Sequence, residues 1–175
     1  MVEFEGWTSW LEGGFLLWKP EDPGYERPAY RDWTEDDEPP KYSPEQELAL
    51  LNKQIRASDG FDIDFTHFRC VFNYHLADLD SHEFVEEPET TRDLLEMLSQ
   101  TSLDDYNRDN RTRFEFVKVM KANFHCCCAC MFLITFEVVD PYDHLIKIFQ
   151  ARVRHARDIL TEYIFCRPKP NQGGM

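Results

Sequence analysis

Residues 114–137 decide the fold of this chain, and they read Phe-Glu-Phe-Val-Lys-Val-Met-Lys-Ala-Asn-Phe-His-Cys-Cys-Cys-Ala-Cys-Met-Phe-Leu-Ile-Thr-Phe-Glu. The stretch is rich in aromatic and β-branched residues, which fit the pleated, half-buried surface of a sheet. Four cysteines lie near its middle, at positions 126, 127, 128 and 130. The pattern predicts two strands, over residues 114–122 and 126–139, that are joined at the cysteine cluster as a first hairpin.

Two further strands are predicted downstream, over residues 145–154 and 159–166. The segment Asp140-Pro141-Tyr142-Asp143 predicts a hairpin turn before them, because proline cannot donate to a strand ladder and aspartate stabilises turns. Upstream, Thr90 with Asp93 three residues later predicts a helix that runs to about Asp105. One helix followed by four strands in meander order indicates an α+β fold, with an antiparallel β-sheet of four to five strands packed across one long α-helix.

The N-terminal part of the chain has a different character. Residues 1–47 contain thirteen acidic and four basic residues together with all four tryptophans, and six prolines interrupt residues 20–44. Because proline breaks helices and strands, we expect an irregular, acidic, Trp-rich extension over residues 1–42. The alternative is an aromatic anchor that becomes ordered on a partner or on the domain, and its residues are Trp7, Trp10, Phe15, Leu16, Leu17 and Trp18.

An amphipathic helix is predicted over residues 43–58. Its start is Ser43-Pro44-Glu45-Gln46, which places a capping serine, a first-turn proline and an amide at the spacing of a capping box. Gly60 follows Ser58 and Asp59 and should close the helix. Beyond it, the apolar residues Phe61, Ile63 and Phe65 alternate with two aspartates, which predicts a strand with one buried side.

The charge of the chain limits its partners. With 33 acidic and 19 basic residues the net charge is -14, so we expect no binding to nucleic acid or to an anionic membrane surface. A basic or neutral protein is the expected partner. The sequence begins Met1-Val2-Glu3-Phe4-Glu5, without the positive and apolar regions of a secretory signal, so a cytoplasmic or nuclear location is expected.

That location favours free thiols over disulfides. Successive residues of a strand also point to opposite faces, so neighbouring cysteines should not pair. We expect the clustered cysteines to be small, buried or half-buried side chains. The alternatives are a metal site that uses Cys127 and Cys130 with His125, and a redox sensor. No metal and no cofactor is expected.

Several short motifs follow one another in the order and spacing seen in cystatins. They are Leu103-Asp104-Asp105-Tyr106-Asn107, Phe114-Glu115-Phe116-Val117-Lys118-Val119 and Phe132-Leu133-Ile134-Thr135-Phe136-Glu137. The chain thereby resembles the cystatin superfamily and, more narrowly, the plant cystatin-related family. Residues 60–65 and 166–170 resemble the same branch. The resemblance implies a cystatin-like domain over residues 59–170.

Cystatins inhibit papain-like cysteine proteases by inserting a three-part wedge, and no inhibitor side chain does chemistry. The resemblance places a first hairpin loop at His125, Cys126, Cys127, Cys128 and Ala129, and the other wedge elements at Gly60 and at His155, Ala156 and Arg157. None of the five first-loop positions keeps the family sequence Gln-Val-Val-Ala-Gly, and the second loop lacks Pro-Trp. Losing two anchors of 2 kcal/mol or more each should weaken a nanomolar inhibitor by roughly 10³-fold or more.

The resemblance therefore implies a cysteine-protease inhibitor-like binding protein with a degenerate inhibitory loop. We expect it not to be an enzyme, because the sequence contains no nucleophile elbow, no phosphate-binding glycine loop and no His-Glu-x-x-His arrangement. The alternative function is a non-inhibitory protein–protein interaction module that acts through the acidic, Trp-rich N-terminus.

Overall fold

The computed structural model describes residues 21, 23, 25, 27–32, 34–126 and 128–170. The chain divides into two compact units, Met1–Tyr74 and His75–Met175. All four tryptophans, and with them the predicted aromatic anchor and the N-terminal interaction module, lie outside the described residues. No helix in the described part of the chain is long and apolar enough to span a membrane.

The first unit contains helix α1, Pro44–Ser58. Its start confirms the sequence prediction, because Ser43 accepts a hydrogen bond from the Gln46 backbone and the Gln46 side chain bonds back to the Ser43 N–H. The buried side of the helix carries Leu48, Leu51 and Ile55. Asp59 and Gly60 both have positive φ and end the helix as predicted.

The strand predicted over residues 61–65 is wrong. These residues are irregular and lead into a short 3₁₀ helix, Phe65–His67. Two backbone N–H groups that could have paired with a neighbouring strand donate to side chains instead. The Asp62 N–H donates to Ser58 Oγ at 3.0 Å, and the Asp64 N–H donates to Gln54 Oε1 at 2.6 Å. Side-chain bonds of this kind compete with ladder formation.

The second unit is an antiparallel sheet with one helix, α2, Thr91–Asn110. Thr90 is the N-cap of α2 as predicted, and it forms a capping box with Asp93. The sheet has five strands in the order β1-β2-β3-β4-β5. They are β1 His75–Leu76, β2 Glu115–Cys126, β3 Cys130–Val139, β4 Ile146–Ala156 and β5 Leu160–Pro168.

The main core of this unit lies between α2 and one face of the sheet. Four leucines of α2 share a buried cluster with alternate residues of the central strands: Leu94, Leu95, Leu98, Leu103, Phe132, Ile134, Phe136, Phe149, Ala151 and Val153. Phe84 caps the cluster edge-on to Phe124 and Phe132, with ring centroids 4.9 Å apart in both pairs.

The other face of the sheet is also buried. Met131, Leu133 and Thr135 alternate with the core residues of β3 and are at most 2% exposed. Four polar side chains of the neighbouring strands are buried at alternating positions too: Asn123, His125, Gln150 and Arg152. Arg152 Nε donates to Met131 Sδ at 3.4 Å, and the Arg167 guanidinium donates to Gln150 Oε1. A central strand buried on both faces explains the continuous apolar run of residues 131–134.

The predicted fold class is therefore wrong. Instead of one long helix packed across a sheet, the described residues contain two short α-helices of 15 and 20 residues, and the five-stranded sheet predominates. α1 belongs to the first unit, and α2, whose leucines share the buried cluster with the sheet, belongs to the second. A sheet with one helix over one face would leave its other face in water, with alternating polar residues, whereas β3 is apolar and buried throughout most of its length.

Candidate functional site

Two hairpin turns lie side by side at one end of the sheet. The first joins β2 to β3 and is closed by the pair Cys126↔Cys130, and the second joins β4 to β5 and is closed by Ala156↔Leu160. Cys130 pairs directly with His155, so the two turns belong to neighbouring hairpins. Since paired strands are about 4.8 Å apart, the turn centres are separated by two strand spacings, about 10 Å. We call residues 126–130 and 156–160 the two-turn end.

A disulfide between Cys126 and Cys130 closes the first turn. The expectation of free thiols is wrong for this pair, and the predicted strand start at residue 126 is wrong as well, because β3 begins at Cys130. The turn places the two cysteines opposite each other on adjacent strands instead of on successive positions of one strand. Cys128 carries an exposed free thiol, Ala129 is half-buried, and Cys127 lies outside the described residues.

His125 was predicted to be part of the first loop, but the structure places it inside β2 as a buried side chain. Burial is the main cause that lowers its pKa to about 4, and the neighbouring charges of Arg152 and His75 act in the same direction. The imidazole is therefore neutral near pH 7. The structure thus places His125 within the buried part of β2, ahead of the turn that begins at Cys126.

The second turn presents both polar and apolar side chains. Arg157 Nη2 lies 2.8 Å from Glu86 Oε1, and its Nε lies 3.7 Å from the carboxylate of Asp158. His155 Nδ1 is 2.9 Å from Thr161 Oγ1, and burial lowers the His155 pKa, with Asp158 opposing the effect. The predicted residues His155, Ala156 and Arg157 are thus brought beside the first turn by the strand pairing.

Ile159 is the residue that the sequence analysis missed. It lies at the tip of the second turn and is 85% exposed, and Leu160 beside it is also exposed. The sequence predicted Ile159 as the first residue of a strand, because an isoleucine before an apolar run is typical of one. Asp158 is the residue in the sequence that indicates a turn at this point. Aspartate tolerates the left-handed backbone conformation, and Asp158 adopts it here with φ of 57°.

A cleft of about 450 Å³ lies beside the second turn. Phe84 and Leu94 supply part of its apolar wall, and His155 and Arg157 form the side toward the turn. Its remaining rim is acidic, from Glu86, Glu87, Glu89 and Asp158. The surface next to the two-turn end is therefore complementary to a basic patch on a partner.

Gly60, the predicted counterpart of the cystatin glycine, belongs to the first unit. It is buried, it has φ of 84°, and its N–H donates to the Ile55 carbonyl at 2.9 Å. The backbone angle and this bond give Gly60 a role in ending α1.

The described residues include no group of three or more His, Cys, Asp or Glu side chains that could hold a metal ion. The cysteine cluster illustrates why, since two of its sulfur atoms are bonded to each other. The two-turn end therefore offers a partner three kinds of group: exposed apolar side chains, charged side chains and cysteine sulfur atoms.

No family model matches the chain. In a search of curated proteins the chain is 32% identical over 130 residues to a UPF0725 protein of Arabidopsis thaliana. The matched region covers 70% of this chain and 34% of the relative, so the chain spans about a third of the length of that relative. The name of the relative states no activity, and the cystatin resemblance stays a prediction.

Proposed function

We propose that this chain is a non-enzymatic protein-binding module that docks onto a papain-like cysteine protease through its two-turn end. The observation that carries the proposal is Ile159, an apolar side chain that is 85% exposed at the tip of a turn held beside a second turn. The partner class comes from the motif resemblance of residues 103–137. A wedge of this kind acts by steric contact alone, so the proposal assigns no chemistry to any side chain.

The two turns form a pre-organised surface. Strand pairing and the Cys126–Cys130 disulfide fix the first turn, and the Ile159 N–H to Ala156 carbonyl bond of 3.1 Å fixes the second. A surface that is already ordered loses less conformational entropy when it binds. Burying an isoleucine side chain stabilises a complex by about 1.5–3 kcal/mol, so Ile159 could supply a substantial part of a micromolar affinity.

Charge supports the same surface. Glu86, Glu87, Glu89 and Asp158 lie around the adjacent cleft, and Arg157 is held by an ion pair to Glu86. Rim charges of one sign mainly raise the association rate of an oppositely charged partner. Binding should therefore be faster to a protease with basic residues near its cleft and should weaken as salt concentration rises.

The proposal is tested by measuring inhibition of papain with a fluorogenic peptide substrate and the purified full chain. Because the residues that anchor cystatins are replaced here, we expect an inhibition constant on the order of micromolar instead of nanomolar. Inhibition should be competitive with substrate. Absence of both inhibition and complex formation at roughly 100 µM protein would overturn the proposal, since this concentration exceeds the expected constant many times.

Two isoleucine variants show whether the two-turn end is the surface used. Ile159→Asp changes the tip of the second turn, whereas Ile146→Asp changes an isoleucine that is 54% exposed at the opposite end of β4. We expect Ile159→Asp to weaken inhibition by about tenfold or more and Ile146→Asp to leave it unchanged. Circular dichroism checks that both variants fold. Equal effects of the two substitutions would assign the binding to another surface.

A further inference from the structure

The described residues of the first turn carry three sulfur atoms, and the proposed function makes no use of their redox chemistry. Cys126 and Cys130 form a disulfide with a sequence separation of only four, and the exposed Cys128 thiol lies between them. Cys126 and Cys130 are themselves only half-buried. This is a cluster of oxidised and reduced sulfur at a solvent-facing hairpin tip.

The sheet does not depend on this disulfide. The pairing of β2 with β3 continues from Glu115↔Val139 to Cys126↔Cys130, so backbone hydrogen bonds already hold the two cysteines opposite each other. A cross-link that closes so short a loop restricts the unfolded chain less than one that closes a long loop. The bond can therefore open and close with the hairpin still paired.

The other described free cysteines differ from this cluster. Cys70 is buried and Cys166 is half-buried, and burial raises the pKa of each thiol to about 12. A thiol of this kind forms little thiolate and reacts slowly. Among the described cysteines, exchange chemistry should therefore be confined to the first turn.

We infer that the first turn is a thiol–disulfide exchange site whose substrates are low-molecular-weight thiols and disulfides of the glutathione class. A small thiolate attacks the sulfur of Cys126 or Cys130, a mixed disulfide forms, and the other cysteine leaves as a thiolate that takes up a proton. A second small thiolate then attacks the mixed disulfide, which gives the protein dithiol and one small-molecule disulfide. Two electrons and two protons pass from two small thiols to the protein, and the reverse reaction closes the turn. The exchange does not depend on what the two-turn end binds.

The test uses the full chain in glutathione redox buffers without denaturant. After acid quenching, alkylation and peptide mass spectrometry give the oxidised and reduced fractions of Cys126 and Cys130. Raising oxidised glutathione tenfold at constant reduced glutathione should raise the ratio of oxidised to reduced turn about tenfold. Cys70 and Cys166 should stay unmodified, and the circular dichroism of the sheet should not change.

Two results would overturn the inference. One is a Cys126–Cys130 bond that resists reduction until the protein is unfolded, and the other is a pair of thiols that stays reduced in oxidising buffer. A triple variant, Cys126→Ser, Cys127→Ser and Cys128→Ser, tests the intermediate. With oxidised glutathione it should accumulate one glutathionyl group on Cys130 and release one glutathione thiolate, and failure to do so in a folded variant would exclude the mixed-disulfide intermediate.

Discussion

Glu47 should stabilise the first unit far more than an acidic residue on a helix surface normally would. Its side chain is fully buried on α1, and its carboxylate accepts the backbone N–H of Arg69 at 3.0 Å and that of Cys70 at 2.8 Å. The carboxylate thereby ties the chain near residue 70 to the helix. Replacing Glu47 by alanine removes the acceptor from both N–H groups at once.

The magnitude follows from the bonds that are lost. Hydrogen bonds to a charged group contribute about 1.5–3 kcal/mol each, and a buried N–H without a partner costs about 1–3 kcal/mol. With two such bonds lost, Glu47→Ala should lower the free energy of unfolding by about 3–6 kcal/mol. A typical domain has only about 5–15 kcal/mol in total, so a large part of the stability of this unit should be lost.

Glu45→Ala is the matched control, because Glu45 lies in the same first turn of α1 and bears the same charge near the helix N-terminus. Its ion pair with Arg27 is exposed to solvent, which screens it, so the substitution should change the free energy of unfolding little. Urea unfolding monitored by circular dichroism gives both values, and hydrogen exchange at the Arg69 and Cys70 amides reports the local effect. If Glu47→Ala loses no more stability than Glu45→Ala, the carboxylate does not hold this segment.

Two further predictions concern the second unit. The pKa of His125 is about 4 in the folded protein, compared with an ordinary value of 6.5. As the pH falls below 6.5, His125 is therefore protonated in the unfolded state before it is protonated in the folded state. The free energy of unfolding should fall by up to about 3 kcal/mol between pH 6.5 and pH 4. Urea midpoints across this range should fall less in His125→Gln. Leu98→Ala should lower the free energy of unfolding by about 2–5 kcal/mol because Leu98 is fully buried. Met97→Ala, on the exposed side of α2, should change it by no more than about 0.5 kcal/mol. Thermal and urea unfolding measure both changes.

The features that could be predicted from sequence are those fixed by a few consecutive residues. Both helix starts, at Ser43 and Thr90, depend on a four-residue capping box that forms within the segment itself. The turn at residues 140–143 is similarly local, and it is present, with the Asp140 N–H donating to the Leu145 carbonyl at 3.1 Å. Such patterns need no knowledge of the rest of the chain.

The features that were missed depend on partners distant in the chain or on exact register. Nothing near Glu47 in sequence indicates that residues 69 and 70 will supply its hydrogen bonds. The disulfide required the precise turn position, because shifting the turn by one residue would separate Cys126 from Cys130. The fold class was wrong for a related reason, since the alternation within a single strand does not show how much of the chain is sheet or that both faces of β3 are buried.

The meander order of the sheet also predicts the sequence in which its strands pair during folding. Strands β2 to β5 each pair with the next strand along the chain, so these contacts are local and should form early. The two-residue strand β1 pairs with β2 only after closing a loop that contains the whole of α2. We therefore expect β1 to dock last and to detach first, with fast amide exchange at His75 and Leu76. Each detachment uncovers unpaired backbone groups on β2, which gives the chain a transient edge where another strand can add.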